Sequence, residues 1–227
     1  MAHAFIVPFV LYLLGTNFIS AFGDEAYPIG YTVVALVVAA SILFYRRGKD
    51  ASGERILKPH WNIGWGVLFG VIGLFLWLGA CWLHLESYMA PYLPSFIQPG
   101  KRVGYNPFEH LSEGLAVWSF IAVRLVGIAV IVPIAEELFW RGFLLRWLID
   151  PEWKKIKLGE FTYESCGIVV LMFTLAHPEW LAAATWCLLI NGLLYWKKDL
   201  WQCVVAHAVT NLLLAIYVLN SGHWWLW

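Results

Sequence analysis

Residues 115–149 read LAVWSFIAVRLVGIAVIVPIAEELFWRGFLLRWLI, a nearly unbroken apolar run that decides the fold. A helix needs roughly 20 such residues to cross a bilayer, so this run is long enough to span one. Ionisable residues nevertheless lie within it, at Arg124, Glu136, Glu137, Arg141 and Arg146. Such residues are costly inside a membrane and by default face protein or water, so they are the first candidates for function.

The composition places the whole chain in the same class. Of its 227 residues, 61% are apolar and 13% are charged, whereas an average soluble domain has about 45–50% and about 25%. A soluble fold of this size could not hide so much apolar surface, and a disordered chain needs more charge. Fifteen Lys and Arg balance fifteen Asp and Glu, which argues against a nucleic-acid partner. We therefore predict an all-α integral membrane protein surrounded by lipid.

Seven apolar segments are candidate transmembrane helices and predict a polytopic helix bundle. They are residues 4–22, 27–45, 61–85, 115–149, 161–177, 180–196 and 200–219. Residues 1–227 would form a single membrane domain. Within it, 1–85 is a three-helix part without motifs, and 115–219 is a helix bundle that carries the motifs described below. Four prolines between 87 and 107 predict a loop there.

The loops alternate in charge along the chain. Lys and Arg are concentrated after the second, fourth and sixth segments, whereas the loop at Asp24 and Glu25 and the turn at 178–179 have none. Because cytoplasmic loops are enriched in Lys and Arg, we predict a cytoplasmic N-terminus and a C-terminus outside, in a bacterial inner membrane. Only His3 precedes the first segment as a candidate positive residue, which favours an uncleaved helix over a signal peptide.

Tryptophans and cysteines receive simpler interpretations. Tryptophans near the segment ends are typical of interfacial anchors, and Trp224, Trp225 and Trp227 are among them. The cysteines have no spacing typical of disulfides or zinc knuckles, and we expect buried, inert thiols at Cys81, Cys166, Cys187 and Cys203.

The first polar cluster is Glu136-Glu137-Leu138-Phe139-Trp140-Arg141. Residues four apart in a helix share a face, so Glu137 can pair with Arg141. Glu136 is rotated by about 100° from Glu137, so it would remain a desolvated carboxylate suited to a general base. The alternative is a surface ion pair at a helix end, but the apolar run continues beyond Arg141.

Two further clusters place histidines in apolar segments, His177 four residues after Phe173, and His207 four before Asn211. Taken alone, His177 is more typical of a capping or core histidine, and the second pair of an interhelical hydrogen bond. Counted from the nearest loops at about 1.5 Å per residue, Glu136, His177 and Asn211 lie about 20 Å deep and His207 about 14 Å. Similar depths on three helices favour one shared internal cavity.

This set of side chains suits the hydrolysis of an amide. A carboxylate and an imidazole can hold and deprotonate a water, while a second imidazole and a carboxamide can donate hydrogen bonds to an oxyanion. No Ser or Cys has a recognisable spacing to the histidines, so a covalent nucleophile is not favoured. No cofactor is required, although Glu136, His177 and His207 are also a known type of zinc ligand set. The H-E-x-x-H pattern is absent.

Three patterns occur intact and in order: E-E-x-x-x-R from Glu136, F-x-x-x-H from Phe173, and H-x-x-x-N from His207. On these residues the chain resembles the CPBP intramembrane endopeptidases, also called type II CAAX prenyl proteases or the Abi family. The resemblance implies that Glu136 and His177 activate a water and that His207 and Asn211 stabilise the oxyanion. It also implies that Glu137 and Arg141 shape the site.

The resemblance implies an intramembrane endopeptidase whose peptide or protein substrate enters from the membrane. Residues 200–207 and the Trp-rich C-terminus are also similar to bacterial members found beside exosortase systems. A non-catalytic scaffold or immunity protein of the same family is the alternative, although it would have no need of both Glu136 and Asn211. A proton-coupled transporter would be expected to show inverted repeats, which the sequence lacks. Arg124 has no assigned role.

Overall fold

The structure is a computed structural model that describes residues 2–45, 57–94, 104–112 and 114–227. All regular elements in these ranges are helical, which confirms the predicted all-α class. The α-helices are α1 (His3–Ser20), α2 (Tyr27–Tyr45), α3 (Gly64–Trp82), α4 (Leu85–Met89), α5 (Pro107–His110), α6 (Leu115–Val126), α7 (Val132–Glu137), α8 (Leu145–Trp147), α9 (Tyr163–Leu175), α10 (Trp180–Lys197) and α11 (Leu200–Ser221).

Helix α3 packs closely along α11 because small residues line their contact. A Cβ added at Gly70 would lie 2.6 Å from Val209 Cβ and 2.7 Å from the Ala206 carbonyl oxygen, so only glycine fits there. The close approach allows Thr210 Oγ1 to donate a hydrogen bond to the Gly70 carbonyl at 2.9 Å. Small residues and polar side-chain bonds are the usual means of joining membrane helices. This contact fixes the N-terminal part of the chain against the motif-bearing helix α11.

The long apolar run at 115–149 forms a helical segment with two π-helical stretches. Gly127–Ile131 and Leu138–Leu144 are π-helical and flank α7, which carries Glu136 and Glu137. Pro133 has no N–H, so the turn before it lacks one helix hydrogen bond. In a π-helix the missing partner five residues earlier is the Ile128 carbonyl. The sequence predicted the helical segment but not these stretches, which often occur at functional sites.

Five helical segments are long and apolar enough to cross a membrane, and they end or begin near the predicted spans. They are His3–Ser20, Tyr27–Tyr45, Gly64–Tyr92, Leu115–Trp147 and Leu200–Ser221. The predicted segment 161–177 corresponds to α9, which at 13 residues is a shorter apolar helix. The segment 180–196 forms α10, with 18 residues. An integral membrane protein is thus supported, while seven crossings remain a prediction.

Two predicted boundaries are wrong in detail. Helix α9 ends at Leu175, so His177 lies in the turn after the helix rather than at its last residue. The expected loop over 87–107 starts too early, because α4 and the 3-10 turn Ala90–Tyr92 extend the helical segment. A left-handed backbone at His84 (φ 49°) separates α3 from α4. The rest of that predicted loop lies largely outside the described residues.

Candidate active site

The four residues predicted for chemistry line one internal cavity of about 130 Å³. Glu136 comes from α7, His177 from the turn between α9 and α10, and His207 and Asn211 from α11. Phe173, the first residue of the second pattern, lines the same cavity. Side chains separated by up to 75 residues along the chain are therefore close to the same small space, where a single substrate bond could meet all of them.

The two adjacent glutamates face different surroundings. Glu136 lines the cavity, and its Oε2 is buried without a hydrogen-bond partner among the described residues. Glu137 points away, is fully buried, and its Oε1 accepts a hydrogen bond from Arg141 Nη1 at 3.0 Å. The same oxygen lies 2.9 Å from His207 Nδ1. The predicted pairing of Glu137 with Arg141 is thus present, and the contact with His207 is an addition that the sequence did not indicate.

Arg141 is fully buried, and several groups fix its guanidinium. Its Nε donates to Asn191 Oδ1 at 3.0 Å, and its Nη2 lies 3.5 Å from the Cys187 carbonyl oxygen. Phe173 and Trp186 place their rings 5.3 and 5.4 Å from the guanidinium carbon. Sequence reasoning missed Asn191, although a polar residue inside an apolar helix is the signal that marks such interhelical partners.

The spacing of the second pattern has a direct structural cause. His177 Nδ1 lies 2.7 Å from the Phe173 carbonyl oxygen, and the two rings stack with centroids 4.4 Å apart. A carbonyl oxygen can only accept, so Nδ1 carries the hydrogen in this contact. In a neutral imidazole, Nε2 is then the nitrogen with the lone pair, which is the form that a base or a ligand requires.

His207 is held differently, by a carboxylate rather than a carbonyl. Its Nδ1 faces Glu137 Oε1, and the Trp186 ring contacts it edge-on with centroids 4.6 Å apart. Trp186 Nε1 donates to Thr210 Oγ1 at 3.2 Å, and Thr210 in turn donates to Gly70. With Nδ1–H directed at Glu137, the imidazole can donate from Nε2 only in its doubly protonated form.

Asn211 has a structural bond besides its place in the cavity wall. Its Nδ2 donates to the Ile128 carbonyl oxygen at 2.8 Å, in the π-helical stretch before α7. This is the carbonyl that Pro133 leaves without a helix partner. The amide nitrogen has two hydrogens, so one hydrogen bond to Ile128 still leaves the other for a ligand. Asn211 thereby joins α11 to the segment that carries Glu136.

Residues 118–213 match a family model described as type II CAAX prenyl endopeptidase Rce1-like. Over these residues, which are fewer than half of the chain, the sequence is similar to that family. The matched region begins in α6 and ends in α11, and it contains all three patterns. Neither a curated protein nor a solved structure matches the chain. The match supports the resemblance to type II CAAX prenyl endopeptidases for the motif-bearing part of the chain, and the similarity to members beside exosortase systems stays a prediction.

Part of the cavity wall comes from outside the region that matches the Rce1-like family. Tyr12 of α1, Trp77 of α3, and Leu226 and Trp227 all line it. The interpretation of Trp227 as an interfacial anchor is wrong, because the chain turns back after α11 and buries this ring, leaving 8% of it exposed. The N-terminal part, which carries no family motif, therefore still helps to enclose the site.

Arg124, which had no role in the sequence analysis, also lines the cavity. Its guanidinium donates a hydrogen bond to the Tyr27 hydroxyl and lies over the rings of Tyr31 and Trp227, at 4.7 and 5.7 Å. Its Nε is buried without a hydrogen-bond partner among the described residues. The cavity wall therefore contains a buried cation beside the C-terminal Trp227.

A zinc ion would need the side chains of Glu136, His177 and His207 to converge on one point. Glu136, His177 and His207 line the same cavity. However, no three His, Cys, Asp or Glu side chains in the described part of the chain lie close enough together to hold a metal ion. The side chains as they are placed in the described residues do not form a ready set of zinc ligands.

Proposed function

We propose that this protein is an intramembrane endopeptidase that hydrolyses a peptide bond with a water activated by Glu136 and His177. One observation carries the proposal: a buried carboxylate, two imidazoles and a carboxamide from three separate parts of the chain line one cavity. A water held between Glu136 and the Nε2 of His177 would give its proton to the carboxylate. The water oxygen would then add to the carbonyl carbon of the substrate.

The second half of the reaction uses the other side of the cavity. Addition of water places a negative charge on the former carbonyl oxygen, which N–H donors stabilise. His207 and Asn211 are the proposed donors. Collapse of this intermediate breaks the carbon–nitrogen bond, and Glu136 returns its proton to the departing amine. The products are one carboxylic acid and one amine, and the proposed step needs no cofactor.

Glu137 and Arg141 act as positioning residues in this proposal. Glu137 orients His207 through Nδ1, and Arg141 neutralises the buried carboxylate through the same oxygen, Oε1. This resembles the way a buried carboxylate fixes the imidazole in other hydrolases. Their effect on turnover would thus pass through His207 rather than through contact with the substrate.

The substrate class and the membrane orientation are part of the proposal. Exposed apolar side chains cover the long helices, so a peptide or protein segment would reach the cavity from the membrane. The alternating charge of the loops supports a cytoplasmic N-terminus and a C-terminus outside, in a bacterial inner membrane. Because the cavity is small, only a short extended stretch of substrate would enter at one time.

The test compares membranes that contain the wild-type protein with membranes that contain Glu136→Gln, by mass spectrometry of the released peptides. The variant keeps the shape of the side chain but removes the base, so we expect its specific peptide products to disappear. Glu160→Gln is the matched control, because Glu160 is an exposed loop carboxylate. Identical peptide profiles in all three membranes would contradict proteolysis and favour the scaffold or immunity protein.

A further inference from the structure

A second and larger cavity, of about 670 Å³, lies among the loops and helix ends rather than between the long helices. It is formed by the start of α1, the segment before α3, the residues after α8, and the junction of α10 and α11. No residue lines both this cavity and the catalytic one. Its walls come from loops that the Lys and Arg distribution predicts to be cytoplasmic. We call it the basic pocket.

The charge of the basic pocket is strongly one-sided. Arg146 and six lysines line it, which is seven of the chain's fifteen Lys and Arg residues. The lysines are Lys58, Lys154, Lys155, Lys157, Lys197 and Lys198. Asp199 is the lining carboxylate, and both of its oxygens are already used, by the Trp201 amide at 2.9 Å and by His60 Nε2 at 2.7 Å. In the described part of the chain, Glu152 also pairs with Lys155, so two carboxylates are set against seven cations and the net charge stays strongly positive.

The orientation of the chain in the membrane does not by itself require a hollow lined by cations. Cytoplasmic loops need an excess of Lys and Arg, but they do not need to curve these residues around a hollow, where like charges repel each other. Lys198 also has a left-handed backbone (φ 52°) at the end of α10, where glycine or asparagine is usual. A lysine in this strained position adds a cation to the wall. An anionic ligand would explain both features.

Aromatic and apolar side chains show where in the membrane the pocket lies. Phe5, Leu200 and Trp201 form part of its wall. Lys197 Nζ lies 4.8 and 4.2 Å from the ring centroids of Trp65 and Trp196, two partly exposed tryptophans. Tryptophan and lysine together are typical of the headgroup level of a bilayer. The cations therefore lie at the depth of lipid phosphates and beside the apolar ends of the spans.

From this placement we propose that the basic pocket binds the headgroup phosphate of an anionic membrane phospholipid. The lysines would surround the phosphate, and the apolar wall would contact the start of the acyl chains. Basic pockets between membrane helices on the cytoplasmic side are a known type of anionic-lipid site. The proposal depends on the membrane location and not on proteolysis, so it stands or falls separately from the proposed function.

The experiment uses the purified full chain in nanodiscs that contain phosphatidylglycerol and phosphatidylcholine, with the retained lipid counted by native mass spectrometry. We expect wild-type protein to keep phosphatidylglycerol preferentially. Lys157→Gln/Lys198→Gln removes two cations from the pocket and should lower this retention about tenfold. Lys101→Gln/Arg102→Gln removes the same charge from a loop predicted on the other side and should retain lipid like the wild type.

Three other results of this experiment would overturn the proposal. Equal loss of phosphatidylglycerol from both double variants would overturn it, because net charge alone would then explain retention. If inorganic phosphate protected the protein against unfolding as strongly as phosphatidylglycerol does, the proposal would also be overturned, because a soluble anion would then be the better ligand. If the change at Lys198 disturbs folding, Lys154→Gln/Lys157→Gln removes two lining cations that both come from the residues after α8, and unchanged lipid retention there would contradict the proposal.

Discussion

The catalytic cavity and the basic pocket use charge in opposite ways. Around the cavity the charges are few and buried: Glu137 and Arg141 have no exposed surface, and one Glu137 oxygen joins Arg141 and His207. In the basic pocket the cations are many and most are exposed. A buried charge acts through its geometry because its partner is fixed, whereas exposed charges act through their sum and are screened by salt. The two regions should therefore respond differently to substitution.

The largest difference should appear between two acidic residues that each pair with a cation. Glu137→Leu leaves Arg141 buried without its carboxylate and should destabilise the protein by about 3–5 kcal/mol. Glu152→Leu breaks the exposed pair with Lys155, whose side chains are 66% and 75% exposed, and should cost less than about 1 kcal/mol. Unfolding in a denaturing detergent titration measures both. Similar losses of stability in the two variants would show that burial does not make the ion pair of Glu137 more important than that of Glu152.

The next effect concerns His207, which should matter for turnover more than for stability. Removal of one oxyanion donor lowers turnover by about 10²–10³-fold, while substrate binding changes little. His207→Ala should therefore reduce kcat and leave KM nearly unchanged, measured on a peptide product identified with the wild-type protein. His3→Ala alters an exposed histidine at the start of α1 and serves as the control. A rise in KM without a fall in kcat would remove His207 from the oxyanion role.

Local spacing explains what the sequence could predict about the site. Residues four apart in a helix face the same way, so the Glu137–Arg141 pair follows from helical geometry. His177 has the same spacing from Phe173, but it lies in the turn just after α9. The depth argument placed Glu136 and Asn211 at one level, and both line the cavity. The family model that matches 118–213 agrees with the motifs that carried the resemblance. These features needed only the period of a helix and the thickness of a bilayer.

Contacts between distant segments could not be predicted in the same way. The bond between Glu137 and His207 joins positions 70 residues apart, and that between Arg141 and Asn191 joins positions 50 apart. Such pairs depend on how helices rotate and pack, which no single periodicity encodes. Trp227 is a similar case, because an aromatic residue at a segment end is equally compatible with an interfacial anchor and with a buried cavity wall.

Adding one methyl group to a glycine of α3 changes how the helix packs without changing any charge. In Gly70→Ala the new Cβ would meet α11 at 2.6–2.8 Å, so we expect a destabilisation of about 1–3 kcal/mol and slower turnover. Gly79→Ala, in the same helix, would meet nothing within 4 Å and should be neutral or slightly stabilising. Detergent unfolding and lipid retention are measured on both. We expect Gly70→Ala to affect the catalytic cavity and not the basic pocket. Loss of phosphatidylglycerol retention with unchanged turnover would contradict this expectation.

Salt gives the smallest expected effect on the cavity and still separates the regions. Raising the salt from about 0.05 M to about 0.5 M shortens the screening length several-fold, which weakens exposed charge interactions and hardly alters buried ones. Phosphatidylglycerol retention should fall several-fold, whereas peptide turnover should stay within about twofold. A neutral osmolyte at matched osmolality controls for changes in water activity. Turnover that falls in parallel with lipid retention would mean that the bound lipid supports the active form, and the two regions would then act as one.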